Sequence, residues 1–129
     1  MAEQTERTLT VRVANRDEFF AEAMAAARRV DAGAGYQGEV CSFETLPLLL
    51  SVFSEKRWNL IVELEKLGPS TLRGLAKALG RDVKRVHEDA NILLQWGIIE
   101  RDSDRKLFVP FKQIRLEANL FNDDSTKAA

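Results

Sequence analysis

The chain has 129 residues, 45% apolar and 30% charged, which suits one modest globular core and argues against a disordered tail or a fibrous repeat. Its 19 Lys and Arg stand against 20 Asp and Glu for a net charge of -1, so a uniformly basic nucleic-acid coat is excluded. With one Cys and one His, neither an intrachain disulfide nor a four-ligand Cys/His zinc site is available within one chain, so no metal or other cofactor is expected and a reducing cytoplasm is the expected setting.

The opening Met1-Ala2-Glu3-Gln4-Thr5-Glu6 is polar and acidic, where a secretory signal needs basic and then apolar residues. From Thr8 to Ala14 the sequence alternates, with Leu9, Val11 and Val13 opposed to Thr10 and Arg12, which predicts a half-buried strand. Asn15 followed three residues later by Glu18 predicts a capping box, and Arg28 and Arg29 suit the negative end of a helix running to about Asp31. Phe19, Phe20, Ala23, Ala27 and Val30 give that helix a thin apolar stripe, for a sheet or for a partner.

Gly33-Ala34-Gly35-Tyr36-Gln37-Gly38 has the spacing Gly-x-Gly-x-x-Gly. The dinucleotide-binding fingerprint needs those glycines between a strand and the start of a helix, and here they follow a helix and lead into Glu39 to Phe43, so a flexible loop is the reading. Glu44 to Val52 predicts a short apolar helix with Pro47 in its first turn. The apolar stretch Leu46 to Phe53 falls far short of the roughly 18 to 20 residues needed to span a bilayer, and no membrane role is expected.

Three helices in tandem are predicted next. Ser54 caps the first, in which Leu60, Ile61, Leu64 and Leu67 recur until Gly68-Pro69; Thr71 or Ser70 opens the second, Leu72 to Leu79, closed by Gly80; Asp82 caps the third, in which Val83, Val86, Ala90, Leu93 and Leu94 share a face until Gly97. Ile98 to Asp102 and Lys106 to Val109 predict a hairpin turning at Ser103-Asp104, and Ile114 to Leu120 a further strand. The tail from Asn122 is expected to fray. Trp58 and Trp96 stand on helices among apolar residues, which suits core packing or a dimer seam better than base stacking.

This layout predicts an α+β, mainly helical fold: a winged helix-turn-helix over residues 43–120, preceded by a strand-helix extension with a Gly-rich loop over 1–42 and followed by a flexible tail over 121–129. Charge supports the division, because residues 1 to 53 carry 5 basic and 8 acidic side chains, residues 54 to 116 carry 13 and 9, and residues 117 to 129 carry 1 and 3. At about 100° per residue the side of the third helix opposite Val86 and Leu93 holds Lys84, Glu88, Asn91 and Gln95, with Arg81 and Arg85 at its edge. Cations there can reach phosphate or guanine, and Asn91 can pair with adenine. His87, a quarter turn off the core face, is either a backbone contact or an ordinary surface histidine. Arg101, Arg105 and Lys106 stand in or beside the wing, and Ser70 and Thr71 at the start of the second helix complete the candidate DNA-contacting set.

Residues 43 to 117 resemble predicted MarR-like winged-helix transcriptional regulators of archaea and bacteria, often described as antitoxins encoded beside a ribonuclease-type toxin. The likeness is carried by Ser54-Glu55-Lys56-Arg57 with Leu60 and Leu64, Gly68-Pro69-Ser70, Leu75-Ala76, Leu79-Gly80-Arg81-Asp82-Val83, Val86 with Asp89, Gly97-Ile98-Ile99-Glu100 and Val109-Pro110-Phe111. It implies double-stranded DNA as ligand, and a cognate toxin as a further partner. Glu88 and Asp89 depart from what a phosphate-facing helix wants, and a homodimer is expected to offset the weak net charge, paired through the N-terminal strand and helix or through the strand around Ile114 to Leu120. A repressor of its own operon is the first reading. A protein-interaction module that neutralises a toxin is the second. An enzyme comes last, because no nucleophile set is present and the acid pairs Glu63 with Glu65 and Asp102 with Asp104 read as solvated surface.

Overall fold

The computed structural model describes residues 6–36 and 38–121. In chain order the elements are β1 (Thr8–Val13), α1 (Arg16–Asp31), β2 (Glu39–Phe43), α2 (Leu46–Val52), α3 (Glu55–Leu67), α4 (Leu72–Leu79), α5 (Val83–Gln95), β3 (Glu100–Arg101), β4 (Leu107–Phe108) and β5 (Gln113–Glu117). The fold class is therefore α+β, with five helices and two small sheets among the described residues. The chain divides into two compact units, one comprising the residues up to Leu49 together with those from Gln113 onward, the other Leu50–Lys112.

In the first unit β1 lies between β2 and β5 and runs parallel to both, with Val11 level with Cys41 on one side and Leu116 on the other. The alternation read from the sequence holds: Leu9 and Val11 are buried, as is Phe43, which pairs with Val13 on the same face. The opposite face carries Thr10, Arg12 and Ser42. Arg12 meets Glu22 of α1 at 2.8 Å, which ties the helix to this polar face. The capping box at Asn15 is present, with Asn15 Oδ1 accepting from the Glu18 amide at 2.8 Å and Glu18 Oε1 from the Asn15 amide at 2.9 Å.

The glycine run leads from the end of α1 to β2, the helix-to-strand position that disqualifies a pyrophosphate cradle. It is more firmly held than its glycines suggest. The Tyr36 hydroxyl accepts from the Thr8 amide at 3.1 Å and reaches Glu39 Oε2 at 3.0 Å, while Arg7 grips the same carboxylate through two bonds of 2.8 Å. Those bonds from Arg7 hold the Glu39 carboxyl below its ordinary pKa, with a smaller contribution from Tyr36. Burial pushes the neighbouring Cys41 thiol above its ordinary pKa. Gly38 has φ +87°, and a Cβ there would lie 2.9 Å from Thr8 Oγ1.

In the second unit the three tandem helices are capped where the sequence indicated. Ser54, Thr71 and Asp82 accept from the amides of Arg57, Gly74 and Arg85, and Gly80 closes α4 in the left-handed conformation. The core is made by Leu60, Ile61 and Leu64 of α3, Leu75 and Ala76 of α4, and Val86, Ala90 and Leu93 of α5. Ile98, Ile99 and Leu107 are also buried. β3 and β4 form an antiparallel hairpin shorter than the sequence predicts, pairing Glu100 with Phe108 and Arg101 with Leu107. Leu107 also exchanges two backbone bonds with Ser70, 2.9 and 2.8 Å, so the hairpin is pinned to the connection between α3 and α4.

Several expectations change on folding. The strand predicted at Ile114 to Leu120 begins and ends earlier, as β5, and its ladder to β1 draws it into the unit of the N-terminal elements. The apolar stripe of α1 does not cover the sheet: Phe19, Phe20 and Val30 are exposed, and no residue of α1 is buried. Trp58 is 41% exposed, so core packing does not account for it, whereas Trp96 is half-buried. Asp102 is a turn staple, its Oδ1 accepting from the amides of Asp104 and Lys106 at 2.8 and 2.9 Å. The tail from Asn122 onward lies outside the described residues. No described helix is long and apolar enough to cross a membrane.

Candidate nucleic-acid interface

α5 presents one side to the core and the other to solvent. Val86, Ala90 and Leu93 are buried, while Lys84, Arg85, His87, Glu88, Asn91 and Gln95 are exposed, as the 3.6-residue period requires. His87 Nε2 and Asn91 Nδ2 lie 3.4 Å apart, one turn from each other along this side. The amide must donate in such a contact, so it needs the tautomer with an unprotonated Nε2. The exposed side thus combines two cations, an imidazole, two amides and one carboxylate, Glu88.

Arg81 and Asp89 behave differently from their neighbours. Asp89 Oδ2 accepts from Arg81 at 2.7 Å and Asp89 Oδ1 from Arg57 at 3.1 Å, with the three side chains only 14 to 20% exposed. Arg57 also donates to the backbone carbonyls of Ser51, at 2.7 Å, and Val52, at 3.3 Å. One carboxylate is shared by two guanidinium groups in a partly dry setting, an arrangement that ties α3 to both ends of the segment from Arg81 to Asp89. Asp89 therefore places no unpaired negative charge beside Lys84 and Arg85. Arg81 is engaged in holding the segment that begins α5, and Lys84 and Arg85 are left as the exposed cations of its first turns.

Ser70 and Thr71 are occupied locally. Ser70 Oγ donates to the Gly68 carbonyl at 2.8 Å and its backbone pairs with Leu107, while Thr71 Oγ1 caps α4 by accepting from the Gly74 amide at 3.0 Å. In the hairpin, Arg101, Arg105 and Lys106 are all exposed. Arg101 Nη1 donates to the Arg105 carbonyl at 3.3 Å, and Arg105 stands at φ +67°, a left-handed position that lets the tight turn close.

Two further cations escaped the sequence reading. Arg73 and Lys77 stand one turn apart on α4 and are exposed, opposite the buried Leu75 and Ala76. The helical wheel used for α5 would have found them had it been applied to α4. Among the described residues no group of three or more His, Cys, Asp or Glu could hold a metal ion.

The family model HVO_A0114 matches residues 52–116, half of the chain, from the last residue of α2 into β5. No curated protein and no solved structure matches the chain.

Proposed function

The chain belongs to the HVO_A0114 family, and on that premise we propose that it is a sequence-specific DNA-binding regulator whose second unit is a winged helix-turn-helix. In this reading α4 and α5 are the helix-turn-helix pair, α5 enters the major groove, and the hairpin β3–β4 is the wing. The observation that carries it is the outer side of α5. Lys84, Arg85, His87 and Asn91 are exposed together on a helix whose Asp89 is neutralised by Arg57 and Arg81. Lys84 and Arg85 supply phosphate or guanine contacts, Asn91 an adenine contact, and Arg101, Arg105 and Lys106 backbone contacts from the wing. Arg73 and Lys77 add cations on α4.

The reading is of a binding protein and not an enzyme. The half-buried Asp89 and Asp102 are committed to structure, Asp89 to two arginines and Asp102 to a turn. The regulator works as a dimeric repressor in the cytoplasm. Control of its own operon, and neutralisation of a toxin encoded beside it, are the physiological form that the likeness to predicted antitoxins suggests.

Fluorescence anisotropy on the duplex upstream of its own gene and on a scrambled duplex, each at two salt concentrations, tests this. The native duplex is expected to win by a factor of about 1,000 or more. The double variant Lys84→Ala, Arg85→Ala is expected to lose at least tenfold in affinity and to lower the salt slope by roughly 2, with an unchanged melting temperature. Equal binding of both duplexes, or an unaffected double variant, would overturn the assignment and favour a module that only binds protein.

A further inference from the structure

We propose that α1 is the surface through which two copies of this chain pair, the two helices running antiparallel across a two-fold axis. At about 100° per residue, Phe19, Val30, Ala23, Ala27, Phe20 and Met24 fall in a sector of roughly 140°. That sector faces solvent: Phe19 is 47% exposed, Phe20 59%, Met24 58% and Val30 59%. The side nearer the sheet carries Glu22, Ala25 and Ala26, all half-buried, with Glu22 paired to Arg12. A surface helix ordinarily turns its apolar stripe inward, and this one does the reverse. The four large side chains leave roughly 400 Å² in water, on a scale of about 150 to 200 Å² for each when fully exposed, and patches of that size on a monomer commonly mark a contact surface.

The charges around the stripe select a second copy as its occupant. Arg16, Asp17, Arg28 and Asp31 are exposed and take part in no ion pair among the described residues. Arg16 and Asp31 lie within the apolar sector at its two ends, and Asp17 and Arg28 border one flank of it, again at opposite ends. A two-fold axis perpendicular to the plane of two antiparallel helices, crossing near Ala23, keeps each flank beside its own counterpart and exchanges the ends. It brings Asp17 beside the partner's Arg28 and Arg16 beside the partner's Asp31, each contact made twice. The same operation sets Phe19 opposite the partner's Ala27, large against small, with Ala23 meeting its own counterpart at the axis. A parallel pairing would leave Asp17 and Arg28 at different levels and on opposite flanks of the seam, so neither of these Asp-Arg contacts would form. With charged borders included, the contact comes to roughly 1,000 Å² in total, at the lower edge of specific interfaces, so association in the micromolar range is expected.

The pairing does not rest on DNA binding, although it would supply the two-fold partner that a palindromic site calls for. Sedimentation of the full chain without DNA, over a micromolar concentration series, is expected to show a monomer-dimer equilibrium. Asp17→Arg and Arg28→Asp are each expected to weaken it about tenfold, and the two reversals combined to restore it. In a Cys41→Ser background, Ala23→Cys is expected to form a disulfide dimer under mild oxidation. Phe19→Cys is expected to do so only when mixed with chains carrying Ala27→Cys, because the sulfurs must approach across the axis. A wild-type chain that stays monomeric, a double reversal as weak as the single ones, or Phe19→Cys cross-linking to itself as readily as Ala23→Cys overturns the proposal. Circular dichroism of each variant separates loss of pairing from loss of fold. Duplex binding on the same samples separates the two readings: a monomer that binds its duplex overturns only the pairing, and a dimer that binds none overturns only the DNA assignment.

Discussion

The two units handle their apolar residues in opposite ways. In the unit of α3, α4 and α5, all three helices give buried apolar side chains to one shared core, and the exposed side of α5 is polar and carries its free cations, although Trp58, Val62 and Leu67 of α3 stay exposed. In the unit of β1, β2 and β5 the helix buries nothing and leaves Phe19, Phe20, Met24 and Val30 in solvent, above a sheet face that is itself polar. A closed core frees the surface for electrostatic recognition, which is directional and salt-sensitive. An open apolar stripe favours association with another surface, which is driven by area. The two units thus suit two different kinds of partner.

Substitutions in the two units should separate that contrast cleanly. Leu93, fully buried in α5, is the strongest lever: Leu93→Ala is expected to cost about 2 to 5 kcal/mol in urea unfolding. Val30→Ala, at protein concentrations low enough to keep the chain monomeric, is expected to cost less than about 0.5 kcal/mol. Equal losses would mean that α1 is packed after all.

The ion-pair triad comes next. Asp89→Ala strands Arg57 and Arg81, each with a mostly buried side chain, and is expected to cost about 2 to 3 kcal/mol, measured by the same unfolding curves. Arg85→Ala, one turn earlier and exposed, is expected to stay within about 0.5 kcal/mol and to act on DNA affinity alone. If Asp89→Ala is neutral in stability, the triad does not hold the start of α5, and Arg81 returns to the list of free cations.

In the other unit Gly38→Ala must accept φ +87° and a Cβ 2.9 Å from Thr8 Oγ1, and is expected to lower stability by about 1 to 2 kcal/mol, read as a lower melting temperature. The smallest effect is that of Glu39. Its folded pKa lies below the ordinary value, so between those two values the unfolded chain binds more protons and stability rises with pH. The contribution is present above the ordinary carboxylate pKa and is lost as pH falls through the folded one. Glu39→Gln is expected to remove this part of the acid dependence, in melting temperatures compared between neutral and acid pH, and added salt is expected to shrink it because both partners are more than a third exposed. An acid limb unchanged by Glu39→Gln would show that other carboxylates carry it.

Much of the second unit was readable in advance because its signals are local. A cap, a 3.6-residue period and a terminal glycine lie within one helix, and Ser54, Thr71, Asp82 and Gly80 each act where their residue type suggests. The exposed side of α5 followed from the same wheel. The wheel could not assign Arg81, because its fate depends on Asp89, eight residues on, and on Arg57 in another helix. Nor could alternation in Gln113 to Glu117 say which strand it would join.

The sequence by itself determined where helices start and stop, that β1 is half-buried, and that the glycine run follows a helix, since each is an energy balance among residues a few positions apart. Tertiary structure alone decided that β5 pairs with β1 about a hundred residues earlier, that α1 turns Ala25 and Ala26 toward the sheet and its phenylalanines outward, and that one aspartate binds two arginines. Those outcomes are competitions between distant segments for the same ladder, the same face or the same charge, and a pattern within one segment does not contain its competitors.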